Sequence, residues 1–267
     1  MNDAHRQSAT TMHSLRQGYH ALVIGASGAL GQAFVARLRA DPHCAGVTGL
    51  SRQDEPGFDL RDESSLQRCA QALAGRGPFD LVIDATGALS LDGQPPEKRL
   101  ADLNADRLLD AMRVNAIGPA LLLQQLLPLL ASDERVIWAK LSARVGSIED
   151  NRKGGWYGYR ASKAALNMLL QTAAIEIARR RPLAVIAALQ PGTVRSALSR
   201  GPSSANRRWT RWSRQPGCCA CLMAWSRPAA PSSSTTPDNP SPGEAPRAEA
   251  PKAPQGLPDC ERSQRLT

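Results

Sequence analysis

No run of about 18 apolar residues occurs in this chain of 267 residues, so the sequence predicts no transmembrane helix. The first 20 residues are polar and lack the apolar centre of a secretory signal, and the chain reads as cytoplasmic. Histidine is scarce: His5, His13, His20 and His43 all lie far in sequence from Cys218, Cys219, Cys221 and Cys260. A cysteine cluster without histidine at ligand spacing predicts no zinc, and no metal is expected. Cys44 and Cys69 read as ordinary reduced thiols. Aromatic residues make up only 4% of the chain, and no basic stripe interleaved with aromatics runs through its body, so nucleic acid is not an expected partner. The net charge of +9 does not alter this, because +5 of it falls from Arg200 onward.

Strand and helix patterns alternate between residues 19 and 199. Residues 20–25 form a short apolar run of the buried parallel-strand kind, and helical spacing follows over 28–40. Strands are predicted at 46–51, 81–84, 135–141 and 183–189. Helices are predicted at 64–74, across a leucine-rich stretch at 100–130 interrupted by Gly118-Pro119, and at 159–179. Such alternation implies right-handed crossovers and an α/β fold, a Rossmann-like doubly wound parallel sheet. Residues 1–18 read as a disordered extension, with Met12 an alternative start. Residues 200–267 hold 11 of the 20 prolines with no helix or strand period, the composition of a disordered tail. The domain reading is therefore 1–18, 19–199 and 200–267.

Three pieces of chemistry stand inside this pattern. The first predicted strand runs into Gly25-Ala26-Ser27-Gly28-Ala29-Leu30-Gly31. Glycines there permit a tight turn and let a pyrophosphate approach backbone N–H groups at a helix N-terminus. The plain alternative is a strand–helix turn that only needs small residues. After the second strand, Ser51-Arg52 stands where an acidic residue would hold the ribose hydroxyls of NAD. A hydroxyl and a guanidinium suit a 2′-phosphate instead, so NADP(H) is expected over NAD(H), the alternative being a solvated loop arginine. Tyr159-Arg160-Ala161-Ser162-Lys163 then puts a phenol and an ammonium four apart, on one helix face. A fixed cation beside a phenol favours its phenolate and makes it a workable proton donor and acceptor. The pair alone would equally fit a solvated face.

The glycine turn, Asp59-Leu60, Asp84-Ala85-Thr86-Gly87, Asn115, Tyr159-x-x-x-Lys163 and Pro191-Gly192-Thr193-Val194 fall in one order and spacing. Over about residues 19–199 the chain resembles the short-chain dehydrogenase/reductases, and over 146–167 it looks most like their C-factor-like and carbonyl reductase branch. The resemblance implies roles. Tyr159 would donate the proton to a substrate carbonyl. Lys163 would hold the nicotinamide ribose and lower the tyrosine pKa, and Asn115 would position a water of the relay. Gly25, Ser27, Gly28, Leu30 and Gly31 would cradle the cofactor, with Ser51 and Arg52 at its 2′ position. Asp59 and Leu60 would contact adenine, Ala85 and Gly87 its ribose side, and Pro191, Gly192, Thr193 and Val194 the nicotinamide. Asn115 read alone could be an ordinary polar residue inside a helix, and Asp59 a turn residue.

The chain departs from the family pattern in places. Gly28 stands one position before the usual middle glycine, as in sugar epimerases, and Asp84-Ala85 replaces a common asparagine pair. The usual catalytic serine falls on Ala143; Ser142, one residue before it, is expected to take its role by a local shift, the alternative being a slower site without that hydroxyl. The family's last helix and strand have no counterpart after residue 200. A shifted reading of the codons there permits the Phe-Phe-Asp and Pro-Trp ending of related chains, which points to a frameshift near Arg200 in the gene or its sequencing, the alternative being a genuine disordered extension. The expected function is NADP(H)-dependent reduction of a small-molecule carbonyl, or oxidation of an alcohol, without membrane or nucleic acid and with room for a homo-oligomer. The alternatives are a cofactor-binding regulator or inactive member and, further off, a sugar-nucleotide epimerase.

Overall fold

The structure, a computed structural model, describes residues 11–191. The expectations for residues 1–10, for Gly192, Thr193 and Val194, and for the tail, including its missing helix and strand, lie outside the described residues. Five parallel strands form one sheet in the order β2-β1-β3-β4-β5: β1 (Tyr19–Ile24), β2 (Cys44–Leu50), β3 (Leu81–Asp84), β4 (Val136–Leu141) and β5 (Ala184–Leu189). The helices are α1 (Ala29–Arg39), α2 (Glu63–Leu73), α3 (Ala105–Met112), α4 (Gly118–Leu126) and α5 (Tyr157–Ala178). None of the described helices is long and apolar enough to cross a membrane.

Strand side chains alternate between the two faces of the sheet. Leu22, Ile24, Val82, Trp138 and Ile186 face α2, α4 and α5 in one core. Ala21, Val23, Leu81, Ile83, Ile137 and Ala139 share the other with Phe34 and Leu38 of α1. Burial on both faces is why these strands read as continuous apolar runs.

Residues 11–18, expected to be disordered, are instead packed. Met12 and Leu15, three apart, are buried in the core that holds α1. The Met12 N–H and the Tyr19 hydroxyl both donate to Asp41 Oδ2 at 2.9 Å. Arg16 Nε donates to Asp80 Oδ1 at 2.8 Å. Two buried apolar side chains, each worth roughly 1.5–3 kcal/mol, offset the entropy of ordering this segment.

The predicted helix over 100–130 is also divided. A 3-10 turn (Leu100–Asp102) precedes α3, and a π-helical turn (Arg113–Ile117) separates α3 from α4. That π turn carries Asn115. The chain winds one way from β1 to β2 and then crosses to β3, so the order reverses between β1 and β3. Ligands of such sheets bind in the crevice beyond the carboxyl ends at this switch point.

Candidate active site

Both turns at the switch point depend on glycine. Gly25 has φ +78°, and a Cβ there would lie 3.2 Å from the Ala85 carbonyl carbon, so the turns after β1 and β3 abut. A Cβ on Gly31 would lie 2.1 Å from the Gly25 carbonyl oxygen. This close packing aims the start of α1 along the turn, with Ser27, Gly28 and Ala29 exposed. Side-chain oxygens cap α2 (Asp62 to the Ser64 N–H, 2.9 Å) and α3 (Asn104 to the Arg107 N–H, 3.1 Å). Gly28, at the N-cap of α1, has no side chain to do so. The first amides of α1 are thus left to a ligand or solvent, and the residues fit a dinucleotide pyrophosphate.

Around the second strand the fit is less simple. Ser51 is buried, and its hydroxyl donates to Asp54 Oδ2 at 2.6 Å, while Arg52 is exposed. A carboxylate therefore stands beside the predicted 2′-phosphate position. Asp59 behaves as a turn residue: its Oδ1 accepts from the Arg61 N–H at 3.0 Å. Leu60 packs against the core, and a Cβ on Gly118 would lie 2.3 Å from its carbonyl oxygen.

Asn115 is fully buried, and both ends of its amide engage one residue. Its Oδ1 accepts from the Ala88 N–H and its Nδ2 donates to the Ala88 carbonyl, both at 2.9 Å. This ties the π turn to the loop after β3. Gly87, at φ +125°, lies between: a Cβ there would be 3.1 Å from Asn115 Oδ1 and 3.3 Å from Lys163 Nζ.

Tyr159 and Lys163 occupy one face of α5, with Lys163 Nζ 5.7 Å from the Tyr159 ring centroid. Lys163 Nζ donates to the Leu141 carbonyl at 3.2 Å. Burial, reinforced by the nearby Lys140 ammonium and opposed by Asp84, brings the Lys163 pKa down to about 7. Burial pushes the Tyr159 phenol up, which keeps it protonated at neutral pH. The direction set by desolvation is opposite to the lowering expected from Lys163. The N-terminus of α5 is fixed by Glu97, whose Oε2 accepts from the Gly158 N–H at 3.0 Å. Tyr159, Asn115 and Glu97 share a cavity of about 430 Å³ with Leu89, Pro96 and Ala111.

Ser142 follows β4, and its hydroxyl donates to Asn167 Oδ1 at 2.6 Å. Ala143 opens the 3-10 turn Arg144–Gly146. A Cβ on Gly146 would lie 2.8 Å from the Lys163 carbonyl carbon, so this turn lies directly on α5 at Lys163. Pro191 follows β5 at the end of the described residues.

Sequence reasoning assigned no role to Lys140, Thr86, Glu97 or Asn167. Lys140 left a readable signal: a lysine inside an apolar strand needs a buried counter-charge. Asp84, at the end of the neighbouring strand, pairs with it in register.

The chain is similar to known proteins. A family model described as short chain dehydrogenase matches residues 19–206. A 1-hydroxy-2-glutathionyl-2-methyl-3-butene dehydrogenase of Rhodococcus sp. (strain AD45) is 34% identical over 131 residues, 49% of this chain and 52% of that protein. The chain thus spans about half the length of that relative. The C-signal of Myxococcus xanthus is 31% identical over 129 residues, 48% of this chain and 72% of that one. A short-chain dehydrogenase/reductase of Burkholderia multivorans, solved with bound NADP, superposes with a TM-score of 0.63 at 26% identity, covering 77% of this chain and 91% of that one.

Proposed function

The chain belongs to the short-chain dehydrogenase/reductase family, and from that membership we propose that it is an NADP(H)-dependent carbonyl reductase in which Tyr159 is the proton donor. One observation carries the reading. Tyr159 and Asn115 line one cavity, and Lys163 Nζ lies 5.7 Å from the tyrosine ring.

Gly25, Ser27, Gly28, Leu30 and Gly31 would hold the pyrophosphate side of the cofactor, and Ser51 with Arg52 the 2′-phosphate. Asp59 and Leu60 would meet adenine. Ala85, Gly87 and Lys163 would line the riboses, and Pro191, Gly192, Thr193 and Val194 the nicotinamide. When bound, the dihydronicotinamide supplies a hydride to the carbonyl carbon. Tyr159 gives its proton to the carbonyl oxygen, which completes the alcohol, and Lys163 stabilises the phenolate left behind until a proton returns. Asn115 holds the loop after β3 beside Lys163. Ser142 is the hydroxyl for the substrate oxygen; to donate there it must give up Asn167. The domain on this reading includes the packed residues 11–18 and runs on to about 199, and the substrate is a small carbonyl compound entering beside Tyr159.

A screen of NADPH oxidation against aldehydes, ketones and quinones tests the proposal. Oxidation with a carbonyl compound supports it. Tight NADPH binding without turnover on any class contradicts it and favours a second reading, a cofactor-binding protein without efficient chemistry. Ala143 at the usual serine position and the engaged Ser142 hydroxyl favour that second reading.

Cofactor choice supplies a further prediction. A guanidinium–phosphate contact is charge-assisted, and a carboxylate in its place repels the phosphate. Arg52→Asp should shift the ratio of NADPH to NADH dissociation constants towards NADH by about tenfold or more. A ratio that does not move makes Arg52 a solvated loop residue only.

A further inference from the structure

A second lysine is buried beneath the site. Lys140 of β4 is fully buried, as is Asp84 of β3, and the two are register partners in adjacent strands. Lys140 Nζ donates to Asp84 Oδ1 at 2.9 Å, to Thr86 Oγ1 at 3.0 Å and to the Thr86 carbonyl at 2.7 Å. Three acceptors match the three protons of an ammonium, so the geometry fits the charged form. The Thr86 hydroxyl in turn donates to Asp84 Oδ1 at 2.5 Å. Asp84 Oδ2 is buried without a hydrogen-bond donor among the described residues.

Lys163 reaches the same place from the other side. Its Nζ donates to the carbonyl of Leu141, the residue after Lys140, and approaches Gly87, the residue after Thr86. Two ammonium groups therefore bracket the turn that begins at Asp84. The titratable groups that face Lys163 are Lys140 from β4, Asp84 from β3 and, on its own helix, Tyr159.

We infer that Lys140 and Asp84 act as a positioning pair for Lys163, their opposite buried charges balancing each other so that Lys163 can gain and lose its proton beside Tyr159. The inference rests on the proposed pairing of Tyr159 with Lys163. A lone buried carboxylate beside Lys163 would lock its ammonium in place. The Lys140 charge offsets that field at Lys163, which leaves Lys163 able to gain and lose a proton near neutrality. Burial and Lys140 both push the Lys163 ammonium towards deprotonation, and Asp84 opposes them. Lys140 and Asp84 touch neither substrate nor cofactor; they act through Lys163.

The test is a pH titration of the Lys163 side-chain nitrogen by ¹⁵N NMR, which needs no turnover. In Lys140→Met, Asp84 is left to Lys163 alone, and the Lys163 midpoint should rise by about one pH unit or more. In the double variant Lys140→Met with Asp84→Asn both charges are gone, and the midpoint should return close to that of the unaltered protein. Lys140→Gln, whose amide still donates within the network, should raise the midpoint as methionine does, and it carries the test if Lys140→Met does not fold. An unmoved midpoint in the single variants overturns the inference. So does an equal rise in the double variant, which would report loosened packing. Where turnover is measurable, its loss at alkaline pH should shift upward with the midpoint. Absent turnover with the expected midpoints contradicts the carbonyl reductase reading alone.

Discussion

Tyr159→Phe should reduce turnover about 10³-fold or more while leaving NADPH affinity within about twofold. The substitution removes the phenol and keeps the ring, whose contacts with Lys163 and the Trp156 ring do not need the hydroxyl. Stability should change by no more than about 0.5 kcal/mol. The loss should fall on kcat, because the proton is transferred only as the carbonyl is reduced. Retained turnover would show that another group protonates the substrate oxygen. Equal loss of cofactor affinity would show that Tyr159 shapes the pocket and does not carry the proton.

Gly31→Ala should be the most damaging single methyl group in the described fold. The added carbon would lie 2.1 Å from the Gly25 oxygen, 2.8 Å from the Gly25 carbonyl carbon and 2.9 Å from Ala26 Cα. All three neighbours are backbone, so no side chain can swing away, and α1 must retreat from the turn. The expected cost is on the order of 3 kcal/mol in unfolding free energy. The retreat also takes the first amides of α1 out of position, so NADPH affinity should fall about 100-fold or more, as it does when several charge-assisted hydrogen bonds are lost together. Gly46→Ala is the matched control: nothing lies within 4 Å of its added carbon, and it should change stability by about 0.5 kcal/mol or less. Denaturant melts and cofactor titrations of both variants check this. Equal behaviour of the two would mean that the turn does not depend on glycine at Gly31.

The sheet was legible because burial on both faces leaves a plain mark, a short apolar run bounded by turn residues. Residues 81–84 were predicted as a strand and form β3 (Leu81–Asp84), and the strand predicted over 135–141 forms β4 (Val136–Leu141). The glycine turn and the Tyr159–Lys163 face were legible for a related reason: close backbone approach and a four-residue spacing are local facts. The π turn was not legible. Leucines recur through 100–130 whether the local pitch is α or π, and only hydrogen bonding separates the two. Residues 11–18 were misread because their polar composition hides the Met12 and Leu15 pair and because their partners, Asp41 and Asp80, are distant in sequence. The Lys140–Asp84 pair, separated by 56 positions, becomes visible only once β3 and β4 are known to be neighbours.

Transfer of deuterium from NADPH deuterated at the reactive nicotinamide carbon tests the central claim most directly. The protein is incubated with the labelled cofactor and a carbonyl compound that stimulates NADPH oxidation, and the alcohol product is analysed by mass spectrometry. Reduction by this site predicts deuterium on the former carbonyl carbon, with Tyr159→Phe abolishing its formation. Alcohol without deuterium, or labelled alcohol formed equally well by Tyr159→Phe, would contradict the account.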